Sequence, residues 1–459
     1  MKRLLTTFAA FSLLVMGVSL WTAAPNSAAA QANGPIKSVT AITEVFGDGQ
    51  KIIAAAVEYD QEIDNAKLSP SAFSVEGRTI TKVYANTTPA KAAQGVNGNY
   101  VIIELSPDDA GASILGQNFG AKPPADEQNT ETPQANGTPN AQGPGGPGGM
   151  SITRKDAQVS VTQTGEITTT GGETYAANAQ VITNDKVINL VVDDFQQLEF
   201  NDLVYGKTLM YNLYIPKNYD PNKSYPLVLF MHDAGATSTE PDRTLIQGLG
   251  AGIWATPEEQ AKHESFVLAP QYSTQVVNDN SEATEELDIT VNLINSLANQ
   301  YNIDPNRIYT TGQSGGCMMS IAMDIKYLNL FAASLLVAGQ WDPAKVAPLA
   351  QDKLWIIVSE GDLKAFPGMN AITATLEEEG AKVSRATWSG LSTPDEFTAE
   401  VSKMIAEDSN IKYTVLQKGT VVPAGQMDDG GSNHINTWRI AYTIEGVRDW
   451  LFAQSKTAN

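Results

Sequence analysis

The sequence predicts a small all-β sandwich followed by an α/β domain, a mainly parallel sheet with helices on both faces. Three observations carry that prediction. Up to about Leu105, short segments rich in β-branched and aromatic residues alternate with polar turns, the pattern of a sandwich. After Asp202 the apolar segments become short continuous runs, as in strands buried on both faces. Segments of helical periodicity stand between those runs, so strand and helix alternate.

The chain of 459 residues is long enough for two or three domains. It opens with Lys2 and Arg3, an apolar run over residues 4–21 and the small residues Ala28-Ala29-Ala30. That is the layout of a secretory signal over residues 1–30, so export without stable membrane insertion is expected. No later stretch approaches the ~20 apolar residues of a membrane span. Strands are then expected at 38–46, 51–59, 79–84 and 100–105, with Gly47-Asp48-Gly49 as a hairpin turn. They resume at 158–162, 166–170 and 187–195. Between the two groups, residues 117–150 are dense in proline and glycine with almost nothing apolar to bury. A disordered insertion within one β domain spanning 35–198 is the expectation there.

The α/β domain is expected over 202–456, with strands at 209–215, 226–231, 266–270, 307–311, 332–338, 354–359 and 412–417. Leu287, Val291, Ile294 and Leu297 recur at helical spacing. Further helices are expected at 315–327, 370–379, 395–407 and 437–455.

Charge and cysteine content narrow the function classes. A net charge of −21 repels phosphate backbones and argues against a nucleic-acid partner. Cys317 is the single cysteine, so neither an internal disulfide nor a cysteine-based metal site is open to the chain. Three residues after Ser314 on an expected helix, it reads as a core residue.

Gly312-Gln313-Ser314-Gly315-Gly316 matches G-x-S-x-G, with a strand before it and a helix after it. On such a strained strand-to-helix turn the serine Oγ stands clear of the backbone, which makes Ser314 the candidate nucleophile. A hydroxyl attacks only once a base takes its proton, and the chain has three histidines. His434 falls in an expected loop after the last strand, where α/β-hydrolase order puts the base. His263 reads as a surface residue, and His232 as a brace for the loop after strand 226–231. The acid is expected just past strand 354–359, at Asp362, with Glu360 as its rival. The backbone N–H of Asp233 or Ala234, together with that of Gly315, is expected to form an oxyanion hole. These parts require no metal and no organic cofactor.

The pieces YNLYIPKNYD, YPLVLFMHDAGA, FVLAPQYS, NIDPNRIYTTGQSGG, WIIVSEGD and NHINTWRIAYTIEGVRDWLF, over about 207–452, resemble secreted bacterial esterases related to polyhydroxybutyrate depolymerases and feruloyl esterases. EVFGDGQKI, AVEYDQEID and SAFSVEGRTITKVY, within about 37–195, are similar to the immunoglobulin-like domain ahead of the hydrolase in one esterase group. The resemblance implies the α/β-hydrolase fold, with Ser314 as nucleophile, Asp362 as acid and His434 as base. It departs in the oxyanion loop, which reads His232-Asp233 where His-Gly is common. The expected activity is that of a secreted serine carboxylesterase, acting on short-chain or aryl esters, small or polymeric. Alternatives are a polyester depolymerase, a feruloyl or acetyl-xylan esterase, a serine peptidase of the same fold, and a non-catalytic cell-surface adhesion protein. Whether the first domain covers the active-site mouth is left open.

Overall fold

The computed structural model describes residues 35–116 and 153–456. The expected signal at 1–30 and the insertion at 117–150 lie outside the described residues. In the first domain, β1 (Ile36–Phe46) and β2 (Gly49–Ile63) form a hairpin on Gly47-Asp48, with Gly49 taking the left-handed φ of 108°. β3 (Phe73–Val75), β4 (Ile80–Asn86) and β5 (Gly98–Leu105) follow, then β6 (Ser160–Gln163), β7 (Asn178–Thr183) and β8 (Lys186–Asn189). They make two sheets, β8-β1-β2-β5-β4 and β7-β6-β3. Val39, Val57, Val101 and Ile103 of the first meet Phe73, Val75 and Val161 of the second in one buried cluster. This is a sandwich. The strand expected at 187–195 is cut short, because Val191 has a φ of 67° and Asp193 caps Asn189 N at 2.7 Å.

The second sheet contains β9 (Gln196–Asp202), β10 (Lys207–Tyr214), β11 (Tyr225–Met231), β12 (Phe266–Gln271) and β13 (Ile303–Gln313). It continues with β14 (Ala333–Val337), β15 (Leu354–Ser359), β16 (Val383–Trp388) and β17 (Ile411–Leu416). The order is β9-β10-β12-β11-β13-β14-β15-β17-β16, parallel from β12 onward. Two strands of this sheet escaped the sequence reading, and both are edges. β9 starts the sheet inside the span expected for the first domain, and β16 has the mixed burial of an edge strand.

Continuous apolar runs make sense in such a sheet. Leu227, Leu229 and Met231 of β11 enter one hydrophobic cluster while Val228 and Phe230 enter the other. β15 does the same, with Leu354, Ile356 and Val358 on one side and Trp355 and Ile357 opposite. Burying each such side chain contributes roughly 1.5–3 kcal/mol. One face is covered by α2 (Glu286–Gln300), α3 (Gly315–Lys326) and α4 (Ala365–Glu378), after a short α1 (Pro257–Lys262). The other carries α5 (Pro394–Ala406), α6 (Gly430–Ala441) and α7 (Glu445–Phe452). The single helix expected at 437–455 is therefore two. It breaks at Thr443, whose hydroxyl bonds Ile440 O at 2.7 Å and competes with the helical ladder. Among the described residues no helix is long and apolar enough to cross a membrane.

One buried acid makes the core pH-sensitive. Asp324 of α3 accepts a bond from Ser334 Oγ at 3.0 Å, while its Oδ2 has no partner among the described residues. Burial, and then the charge of Asp352, push its carboxyl well above the usual range. Burial pushes Asp352 itself up to about 6. Between ~3.9 and the raised folded value the unfolded chain releases this proton and the folded chain holds it, so stability falls as pH rises through that window. Asp324→Asn keeps the Ser334 contact and removes the penalty. Melting curves should show the variant more stable than wild type at pH 8, with the gap closing toward pH 4. A gap independent of pH would contradict this account.

Candidate active site

Ser314 directly follows β13, the middle strand of nine, and sits at the N-cap of α3. Its backbone sits at φ 52° and ψ −117°, a strained conformation for a non-glycine residue. Two close approaches hold it there. A Cβ on Gly316 would lie 1.8 Å from Met231 O, and one on Gly312 would lie 2.4 Å from Gly316 C. The turn therefore packs backbone against backbone, and Ser314 Oγ–H points at His434 Nε2 across 2.8 Å.

The other ring nitrogen, Nδ1–H, donates to Asp362 Oδ2 at 2.5 Å. Asp362 follows β15, and its Oδ1 accepts the amides of Lys364 and Ala365, each at 2.9 Å, at the start of α4. Burial alone would raise this carboxyl, but the bonds from His434 and from the two amides hold it below the usual range. Asp362 is only 2% exposed. Glu360, the rival acid, is exposed and turns the other way, accepting Lys418 N at 3.1 Å.

His434 is not on a loop. It lies in the second turn of α6, because Asp429 caps Ser432 N at 2.7 Å and starts the helix five residues earlier. Gly430 and Gly431 masked that helix in the sequence. The ring is edge-on to Trp438 at 5.3 Å between centroids. Asn433, which sequence reasoning did not single out, ties this helix to the turn that carries Asp362. Its Oδ1 accepts Ser359 Oγ at 2.8 Å, and its Nδ2 donates to Asp429 O. A Cβ on Gly361 would strike the Asn433 amide at 2.2 Å, so the glycine between Glu360 and Asp362 makes room for it.

The loop after β11 stands beside the serine. His232 is buried, donating Nδ1–H to Asp233 O at 2.7 Å and accepting Tyr272 N on Nε2 at 3.0 Å. Burial lowers its pKa and keeps it neutral in this bracing position. The Asp233 carboxylate accepts Gly235 N at 2.7 Å and Gln313 Nε2 at 2.9 Å, joining the loop to the residue before Ser314. Of the two loop amides expected to serve with Gly315, that of Ala234 lies nearest, 3.3 Å from where a Gly315 Cβ would be. Among the described residues neither the Ala234 nor the Gly315 amide donates to a protein group.

His263 departs from the surface reading. It is half-buried, stacked on Phe452 at 4.4 Å and bonded to Asp449 Oδ1 at 2.8 Å, so it ties the end of α1 to α7. Glu259 lies close by, and Arg448 Nε supplies its counter-charge at 2.7 Å. Cys317 is fully buried, which pushes its thiol up, and its Sγ fills the space beside Gly339.

Ser314, Asp362, His434, Asp233, Ala234 and Gly315 all line one cleft of about 1000 Å³. Tyr272, Val276, Val277, Met318 and Met319 supply an apolar wall. Every lining residue among those described lies beyond residue 231, so the first domain forms none of these walls.

Residues 38–176 match the family described as the esterase Ig-like N-terminal domain. The first domain is an esterase-type Ig-like domain. The chain is also 28% identical to a thermostable esterase of known crystal structure, with a TM-score of 0.72, over 92% of this chain and 100% of that one. The fold behind the Ig-like domain is that of the α/β-hydrolases. Among curated proteins it is 26% identical over 199 residues to the putative esterase NocK of Nocardia uniformis subsp. tsuyamanensis, spanning 42% of this chain and 57% of NocK. It is 27% identical over 158 residues to the poly(3-hydroxybutyrate) depolymerase of Ralstonia pickettii, spanning 31% of this chain and 32% of that protein.

The role of Asn433 is open to measurement. Asn433→Ala leaves Ser359 Oγ buried without its acceptor, which should cost about 1–3 kcal/mol of stability in denaturant titration. A variant as stable as wild type would mean that another group takes over the contact.

Proposed function

We propose that this chain is a serine carboxylesterase, exported through residues 1–30, which cleaves esters through an acyl-enzyme on Ser314. The hydrogen-bonded line from Ser314 through His434 to Asp362, opening on a cleft, is the observation that carries the reading. His434 Nε2 takes the Ser314 proton as Oγ attacks the ester carbonyl. Asp362 holds the ring in the tautomer that leaves Nε2 free and stabilises the imidazolium once formed. The Ala234 and Gly315 amides donate to the developing oxyanion, which fixed dipoles stabilise without reorganising. His434 then protonates the leaving alcohol, and water releases the acid by the same route.

The apolar wall suits an apolar acyl or aryl group, and the cleft volume suits more than an acetyl unit. Of the similar proteins, NocK and the thermostable esterase are named as esterases, and the poly(3-hydroxybutyrate) depolymerase is named for a polyester, so all act on the ester bond. That common bond favours ester over peptide cleavage here.

Ser314→Ala should fold as wild type and lose on the order of 10⁴-fold or more of p-nitrophenyl ester turnover, along with fluorophosphonate labelling. Asp362→Asn should lower kcat by up to ~10⁴-fold with KM little changed, and Glu360→Gln should stay near wild type. Chelators should leave turnover unchanged. The reverse ranking of the two acids would move the role to Glu360. Peptide cleavage without ester cleavage would replace the esterase reading with a peptidase one.

A further inference from the structure

The Ig-like domain contributes nothing to the described cleft walls, yet it reaches the helix that bears His434. The tip of the β1–β2 hairpin packs against α6 and the turn at Gly248. A Cβ on Gly47 would lie 2.9 Å from the Cα, Cβ and Cγ of Arg439. One on Gly248 would lie 3.3 Å from Gly47 O and 3.9 Å from Trp438 Cδ1. Val45, two residues before the tip, packs on the hydrophobic cluster that contains Trp438 and Ala441. Arg439 in turn donates Nη1–H to Asn436 Oδ1 at 2.7 Å within the helix.

These contacts complete a clamp. Near its start, α6 is fixed to β15 by Asn433, through Ser359 and the space left by Gly361. One turn and a half later it is fixed by the hairpin tip at Arg439. His434 lies between the two fixings, edge-on to Trp438. Each fixing limits the tilt of the helix about the other, on top of the apolar packing of Trp438 and Ala441 against the sheet. A tilt of a few tenths of an ångström at His434 acts on both of its hydrogen bonds, and misplacements near 1 Å can cost on the order of 10²-fold in rate.

We infer that the hairpin tip of the Ig-like domain, at Gly47, positions the His434 helix for catalysis, so that this domain acts on the reaction through α6 and not through substrate contact. The inference rests on the serine-esterase reading. Gly47 is a positioning residue, since it touches neither substrate nor the reacting atoms.

The test is Gly47→Ala in the full chain. The φ of Gly47 lies outside the left-handed region, so alanine is strained there only by crowding the Arg439 backbone. Gly165→Ala is the matched control. Its Cβ would meet Ala72 Cα at the same 2.9 Å, inside the Ig-like domain and away from α6. With p-nitrophenyl esters, Gly47→Ala should lower kcat about 10- to 100-fold with KM within about twofold. The rate of fluorophosphonate labelling should fall by the same factor, and Gly165→Ala should leave both near wild type. A folded Gly47→Ala protein with wild-type kcat and labelling overturns the inference, as does an equal fall in Gly165→Ala. Should Gly47→Ala fail to fold, Arg439→Ala withdraws the side chain on which the tip rests. It should show the same kcat-only loss at smaller size, and an unchanged kcat there overturns the proposal. Wild-type protein that neither labels nor turns over esters defeats the serine-esterase reading itself, an outcome visible before any variant is made.

Discussion

The hydrogen bond from His434 Nδ1 to Asp362 Oδ2 joins segments 72 residues apart, and much of the second domain serves to keep its ends in place. Asp362 is held because its other oxygen caps α4, so the carboxylate cannot rotate away without uncovering two amides. His434 is held because α6 is anchored through Asn433 to the strand that delivers Asp362. A charge this deeply placed is tolerated only with such partners, since an unpaired carboxylate in the interior would protonate instead. Asp324 is the contrasting case in the same domain. With one bond and a bare oxygen, its carboxyl is pushed by burial well above the usual range.

The sheet supplies the rigid frame behind this bond. β11, β13 and β15 are buried on both faces, and their carboxyl ends deliver the His232–Ala234 loop, Ser314 and Asp362 to one edge. That is the general location of ligand sites in open parallel sheets, because loops there are free to vary while strands stay fixed. The strain at Ser314 persists only because Gly312 and Gly316 press the turn against β11. Asp233 adds a polar tie from the neighbouring loop to Gln313, where a glycine at that position would offer no side chain.

Legibility in the sequence followed the range of the interactions. The turn at Ser314 was legible because strand, glycines and helix are contiguous, and β11 and β15 because a strand buried on both faces must be apolar throughout. Asp362 was legible as the end of such a strand. The helix around His434 was not, since Gly430-Gly431 reads as loop and the cap that overrides it is a single side chain, Asp429. Asn433 carried no signal at all, because its partner Ser359 is 74 residues away. The edge strands β9 and β16 were missed because partial burial breaks their apolar pattern. The contact of Gly47 with Arg439 was out of reach for the same reason as Asn433, being a long-range fit between two surfaces.

The proposed acyl-enzyme on Ser314 can be weighed. Full-length protein should be mixed with a short aryl ester, quenched in acid within the first turnovers, digested and mapped by mass. One acyl group per chain on the peptide containing Ser314 is the expected result. Ester turnover with no acyl adduct, or with the acyl group on another residue, would contradict it.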